Sequence, residues 1–293
     1  MRNKKEKRKI VFAVLLAASL FGVEVLMGQT PKTADEFNDR GVEYFQNGDY
    51  NNAVADFTQA ISMEDDNAVM YGNRGHANLM LEKWNNAISD LTRAINLDSS
   101  VDWWFNFRGY AYFQTREYDK AIADYSQAIT INPDYTDAFS NRAFAYQSKG
   151  ENDKATLDFL QAIKQEPQNP VRYYNRAIFY IDTVKYDDAI ADFTQVVKLD
   201  AKAVWGFYYR GYTYSLKGEE KKAIEDFTQA IELDPGTAEF YNSRGLSYFN
   251  TQDYKKASVD FEAALKIEPD NARFKENLED TRRVAEGGSL LDW

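Results

Sequence analysis

Cysteine is absent from all 293 residues. That excludes disulfides, thiolate metal sites, a cysteine nucleophile and a lipid-modified amino-terminal cysteine. Histidine occurs once, as His76, and a lone imidazole with neither histidine nor cysteine partner does not make a metal or acid–base site. No glycine-rich nucleotide loop, serine elbow or zinc-binding helix motif is present, so no cofactor and no metal are expected. Proline is scarce, at 6 residues, and no tract has the biased composition of a disordered segment. Positive charge is short too. Setting aside residues 1–28, which hold six cations and two acids, from the 35 basic and 46 acidic residues leaves a net charge of −15. Such a body repels phosphate backbones and anionic bilayers, so neither nucleic acid nor membrane contact by the main body is expected.

Apolar residues are plentiful at 44%, with 20 Tyr and 19 Phe. The only long apolar run, Ile10–Val23, follows the basic cluster of residues 2–9 and precedes the small residue Gly28. Fourteen residues fall short of the about 20 that span a bilayer, so residues 1–28 read as an export signal, with an uncleaved anchor over residues 10–27 as the alternative. The remainder is therefore expected in a periplasm or outside the cell. The lack of any Asn-x-Ser/Thr acceptor fits a bacterial periplasm.

Self-similarity sets the fold. Arginine recurs every 34 residues at Arg40, Arg74, Arg108, Arg142, Arg176, Arg210 and Arg244. Aspartate keeps the same step at Asp56, Asp90, Asp124, Asp158, Asp192, Asp226 and Asp260, as does alanine from Ala53 to Ala257. After a short linker at 29–33, seven repeats run over 34–67, 68–101, 102–135, 136–169, 170–203, 204–237 and 238–271. Numbering each repeat from one, aromatics hold position four, Gly or Ala position eight, and Tyr position eleven except at Asn78. Alanine holds position twenty and a ring or leucine position twenty-four. Steps of three and four place each group on one helix face, so a repeat is two antiparallel helices that close over small residues. Glycine marks the intervening turn at Gly48, Gly150 and Gly218, and Pro133, Pro167, Pro235 and Pro269 are expected to stop the second helix. Thr33 and Glu36 have the spacing of a capping box. Residues 272–286 read as a closing helix, and 287–293 as a tail whose Leu290, Leu291 and Trp293 either fold back or dock elsewhere.

Aromatic at four, small at eight, Tyr at eleven, Ala at twenty, ring at twenty-four, Ala at twenty-seven and Pro at thirty-two resembles the tetratricopeptide repeat. The resemblance covers Ala34–Asn271; arginine at seven, and Asp65, Ser99 and Ala201 at thirty-two, depart from it. It implies an all-α, right-handed solenoid of seven helix-turn-helix units with a capping helix. It also implies a concave groove lined by first helices and used for protein recognition.

Family geometry assigns positions two, five, six, nine, twelve and thirteen to that groove. There it places Asn73, Trp103, Asn106, Phe107, Tyr110, Asn141, Phe144, Tyr174, Asn175, Tyr208 and Tyr212 as candidate partner-binding residues, with Trp205 and Tyr209 among the further rings. An asparagine amide donates to and accepts from one peptide bond, so a row of them could hold an extended backbone while the rings select apolar side chains. The other reading has the rings packing between repeats and the amides capping or solvating them. The arginines at seven and aspartates at twenty-three are expected to form a structural ladder of ion pairs, since antiparallel helices place those positions level. The cations with which tetratricopeptide co-chaperones grip a carboxylate tail are missing, since Asn38, Val42, Asn73, Trp103 and Phe107 stand there. The expected function is a non-catalytic scaffold for a protein or extended peptide. The alternative is an accessory of envelope transport or glycan assembly that binds a small molecule or sugar.

Overall fold

The structure, a computed structural model, describes residues 31–287. Residues 1–28, read as an export signal or anchor, and the tail residues Leu290, Leu291 and Trp293 lie outside the described residues. Among the described residues there are fifteen α-helices and no strand. No helix among them is long and apolar enough to cross a membrane.

Two compact units divide at Ala145/Tyr146. The first holds α1 (Ala34–Gln46), α2 (Tyr50–Met63), α3 (Ala68–Met80), α4 (Trp84–Leu97), α5 (Asp102–Gln114), α6 (Tyr118–Ile131) and most of α7 (Thr136–Ser148). From α1 to α6 each helix packs on the next, and α3 also touches α1 and α5. The second unit holds α8 (Asn152–Gln165), α9 (Pro170–Asp182), α10 (Tyr186–Leu199), α11 (Val204–Leu216), α12 (Glu220–Leu233), α13 (Ala238–Asn250), α14 (Tyr254–Ile267) and α15 (Ala272–Ala285). They too pack in chain order, and α13 touches both α11 and α15.

Small residues at position eight let the helices of a pair close. A Cβ on Gly41, Gly109 or Gly245 would lie 2.7, 2.9 or 2.8 Å from the ring of Phe57, Tyr125 or Phe261 at position twenty-four. The side chains at twenty-four and the alanines at twenty are buried in every repeat, and they form the core. Thr33 and Glu36 form a reciprocal capping box at the start of α1. Every intrarepeat turn places its fifteenth residue in the left-handed region, with φ from 56° to 79°. Glycine takes that place at Gly48, Gly150 and Gly218, while Glu82, Arg116, Val184 and Gln252 take it elsewhere. β-branched Val184 is the most strained of these. The second helix ends at position thirty whether or not proline follows at thirty-two, as α2, α4 and α10 show. The prolines reinforce a stop that is set elsewhere.

Each arginine at position seven whose aspartate lies in the same unit forms a bidentate pair with it. Nε donates to Oδ2 and one terminal nitrogen donates to Oδ1, at 2.6–3.0 Å, for Arg40–Asp56, Arg74–Asp90, Arg108–Asp124, Arg176–Asp192, Arg210–Asp226 and Arg244–Asp260. Arg142 and Asp158 belong one to each unit. The arginine's other terminal nitrogen reaches back to a hydroxyl at position twenty-five of the preceding repeat. Arg74 meets Thr58, Arg108 Thr92, Arg142 Ser126, Arg210 Thr194 and Arg244 Thr228, at 3.0–3.4 Å. One guanidinium thus ties three helices together. At Arg176 the hydroxyl position holds half-exposed Leu160. Leu160→Thr should supply the missing hydrogen bond and raise stability by about 0.5–1.5 kcal/mol relative to Leu160→Val, a control matched in helix propensity. Urea midpoints of the two variants measure it, and equal midpoints would show that the staple contributes nothing.

Candidate functional site

Within each unit, positions two, five, six, nine, twelve and thirteen of the first helices hold the candidate binding residues. The amides are already engaged. Asn73 donates to Asn38 and Asn141 to Asn106, each at 3.0 Å, and Asn277 to Asn242 at 2.7 Å, always across 35 residues. Asn106 also donates to the Tyr135 hydroxyl at 3.1 Å. These pairs pin successive first helices together, and Asn106 and Asn141 are only 5% exposed. Asn175 is buried as well, so of the candidate amides only half-buried Asn73 reaches the surface. The expectation that these amides hold a peptide backbone is corrected accordingly: a polar group in a first-helix seam satisfies its neighbour.

The rings divide between packing and surface. Phe144 and Tyr208 are buried. Tyr208 lies 5.2 Å from Phe240, and burial raises its hydroxyl well above the ordinary phenol value. Tyr110 packs edge-on against Trp84 at 5.8 Å, and Tyr174 against Phe193 and Tyr209, both at 5.7 Å. In the first unit the rings of Phe45, His76 and Phe107 form a continuous stack with centroid steps of 4.5 and 4.3 Å, and Trp103 lies 5.4 Å beyond Phe107. Burial in that stack lowers the His76 imidazole to about 4, so it is neutral at physiological pH.

The large apolar groups open to solvent at the face positions are Val69 and Met80 on α3 of the first unit, 51% and 42% exposed, and a fuller row on the second unit. Trp205, Tyr212 and Leu216 on α11 and Leu246 on α13 are 48%, 38%, 41% and 38% exposed. Steps of four, three and four from Trp205 through Tyr209 and Tyr212 to Leu216 place them along one helix face. Leu216 and Leu246 escaped a reading of the sequence that looked for rings, although they stand at positions thirteen and nine. On the six face positions the seven repeats carry five carboxylates (Asp35, Asp39, Asp137, Asp182 and Glu239), neutral His76, and neither Lys nor Arg. The described residues gather no cluster of three or more metal-ligating side chains.

Sequence profiles of the tetratricopeptide repeat match residues 37–67, 136–169, 172–202, 204–236 and 238–271, and a TPR repeat profile matches 109–150. No curated protein matches the chain. Among solved structures, a tetratricopeptide repeat protein from Parabacteroides merdae is similar with a TM-score of 0.64 at 20% identity, over 85% of this chain and 98% of its own. The C-terminal part of a TPR repeat-containing protein from Cytophaga hutchinsonii gives 0.62 at 18% identity, over 82% and 98%. YrrB, a TPR protein with an unusual peptide-binding site, gives 0.51 at 19% identity, over 64% and 97%. These likenesses concern the fold. With profiles covering more than half of its length and consecutive helix pairs throughout, the chain belongs to the tetratricopeptide repeat family.

Proposed function

We propose that this protein is a non-catalytic scaffold, working outside the cytoplasm, that holds a protein or extended peptide on the first-helix face of its second unit. The observation that carries the reading is the exposed row Trp205–Tyr212–Leu216–Leu246. Exposed large apolar groups in a contiguous row mark an interaction surface, and an aromatic anchor supplies most of the affinity at such a surface. The peptide-binding relative in fold supports a peptide as the ligand class. The charge on the face narrows it further. On the second unit that face holds two carboxylates, Asp182 and Glu239, the latter paired with Arg273, and neither Lys nor Arg at its own positions, which favours an apolar segment carrying Lys or Arg over an acidic one. A sugar, the second reading, would stack on Trp205 and gain little from Leu216 and Leu246.

Fluorescent dodecapeptides that pair Leu and Phe with either Lys or Glu test this, with the full chain and its Trp205→Ala/Tyr212→Ala variant. The Lys series should bind the full chain at least tenfold more tightly than the Glu series, and the variant should lose at least tenfold without a change in thermal midpoint. Equal binding of both series, or undiminished binding by the variant, would overturn the reading.

A further inference from the structure

Position eleven is tyrosine in every repeat but the second, and there the structure opens a notch. In the other repeats that tyrosine is gripped by cations. Arg108, Arg176 and Arg244 lie 5.8, 5.5 and 6.0 Å from the ring centres of Tyr112, Tyr180 and Tyr248. Lys120, Lys185 and Lys256 lie 5.1, 5.9 and 5.2 Å from the same three rings. In the second repeat Asn78 replaces the tyrosine, and Asn86 stands where Lys120 and Lys256 stand in theirs. The ring's space is left as an open cavity of about 310 Å³, lined by Val54 and Thr58 of α2, Arg74 and Asn78 of α3, and Lys83, Asn86, Ser89 and Asp90 around the start of α4.

Two features of the cavity point to a ligand. Lys83 holds the repeat position from which Lys185 covers Tyr180, and among the described residues it forms no ion pair, so a lysine and Arg74 already flank the empty place. Asn78 is buried and spends its amide N–H on Asp90 at 3.0 Å, while its carbonyl oxygen, also buried, has no hydrogen-bond partner. A buried acceptor without a donor costs free energy that an incoming hydroxyl or N–H would recover.

We propose that this notch binds the aromatic side chain of a partner, a tyrosine or tryptophan, which takes the place of the missing Tyr ring between Arg74 and Lys83 and donates its O–H or N–H to Asn78 Oδ1. The space suffices, since an engineered apolar cavity of about 150 Å³ takes up benzene. An anion fits the site badly, because Asp90 already neutralises Arg74 and itself lines the cavity. An aliphatic group fits badly too, because it offers the two cations no ring face. The site is independent of the apolar row on the second unit, and neither result decides the other.

Titration of the full chain with p-cresol, followed by NMR of the Asn78 side-chain amide and the Arg74 Nε–H, tests the proposal. Saturable shifts with a Kd of about 1–10 mM are expected for so small a probe. At least tenfold weaker binding is expected for 4-methylcyclohexanol, which matches it in size and hydroxyl but lacks the aromatic ring. Asn78→Tyr fills the notch with the residue of the other repeats and should abolish the response. Lys83→Ala, which leaves the core untouched, should weaken p-cresol about fivefold. Equal binding of 4-methylcyclohexanol, tighter saturation by acetate, or an unchanged response in Asn78→Tyr or Lys83→Ala would overturn it.

Discussion

Arg108→Ala lowers the unfolding free energy by about 3 kcal/mol at pH 7, and adding Asp124→Ala returns a large part of the loss. Asp124 has a side chain only 9% exposed, and Arg108 is its bidentate partner at 2.8 Å on both oxygens. Burial raises the Asp124 carboxyl above its ordinary value even with the arginine present. Burial also opposes the charge on Arg108, yet its hydrogen bond and attraction to Asp124 hold it above its ordinary value. The pair is therefore a near balance of desolvation against pairing, and its two halves read that balance with opposite sign. Deleting the arginine removes the favourable side and leaves a buried anion, which costs more than losing both charges. It also removes the hydrogen bond to Thr92 and the stacking on Phe105 and Tyr112. The double variant does not recover that part.

The pH dependence of the single variant carries a further sign. A carboxyl raised in the folded state binds its proton more readily there than in the unfolded chain. Protonation then favours folding as pH falls through the folded value towards the ordinary one. Without Arg108 the rise is larger, so the deficit of Arg108→Ala should shrink on acidification towards the ordinary carboxylate range. The double variant lacks that carboxyl, so its deficit should instead grow slightly, because the unaltered chain gains from its own raised Asp124. Urea denaturation at pH 7 and at mildly acid pH measures both. A deficit of under 1 kcal/mol for Arg108→Ala, or a double variant no better than the single one, would show the ladder to be ordinary surface charge.

The ladder also shows how far the sequence could be read. A step of 34 and a spacing of 16 between Arg and Asp follow from counting, because antiparallel helices hinged at one turn must bring those positions level. The hydroxyls at Thr58, Thr92, Ser126, Thr194 and Thr228 were equally periodic, yet they carry no such signal. A helical threonine usually bonds its own backbone, as Thr58 does with Val54 at 2.7 Å, and that local bond does not announce a second partner in the next repeat. The asparagines failed for a related reason. Periodicity assigns Asn106 and Asn141 to the first-helix face, but whether an amide looks outward or along the seam depends on the distance between neighbouring helices. Gly72, Gly109 and the other small residues set that distance only after packing. Leu216 and Leu246, being aliphatic, carried no signal for a reading that looked for rings. Asn78 was visible as an exception to the pattern, but its meaning appears only once the rings of the other repeats are seen between their cations.

Gly72→Ala should be the most damaging single methyl group in the first unit, at about 3 kcal/mol or more. Intrinsic propensity points the other way, since alanine in a helix interior is favoured over glycine by about 1 kcal/mol. Packing overrules it. A Cβ on Gly72 would lie 2.2 Å from Nε1 and 2.7 Å from Cε2 of Trp104, so the indole must move. Trp104 is 1% exposed, and Trp103 lies 5.4 Å away on one side. A rigid bicyclic ring in such a place cannot swing aside as a flexible chain end could, and overpacking then shifts backbone between α3 and α5. Its N–H is buried without a hydrogen-bond partner, so shape rather than polarity holds the ring there. The test is a double-mutant cycle with Trp104→Ala, which removes the indole atoms that the added methyl would strike. Gly72→Ala should be nearly neutral in that background, giving a coupling of about 3 kcal/mol between positions 72 and 104. A stabilising Gly72→Ala in the unaltered chain would mean that α3 and α5 do not close over this ring.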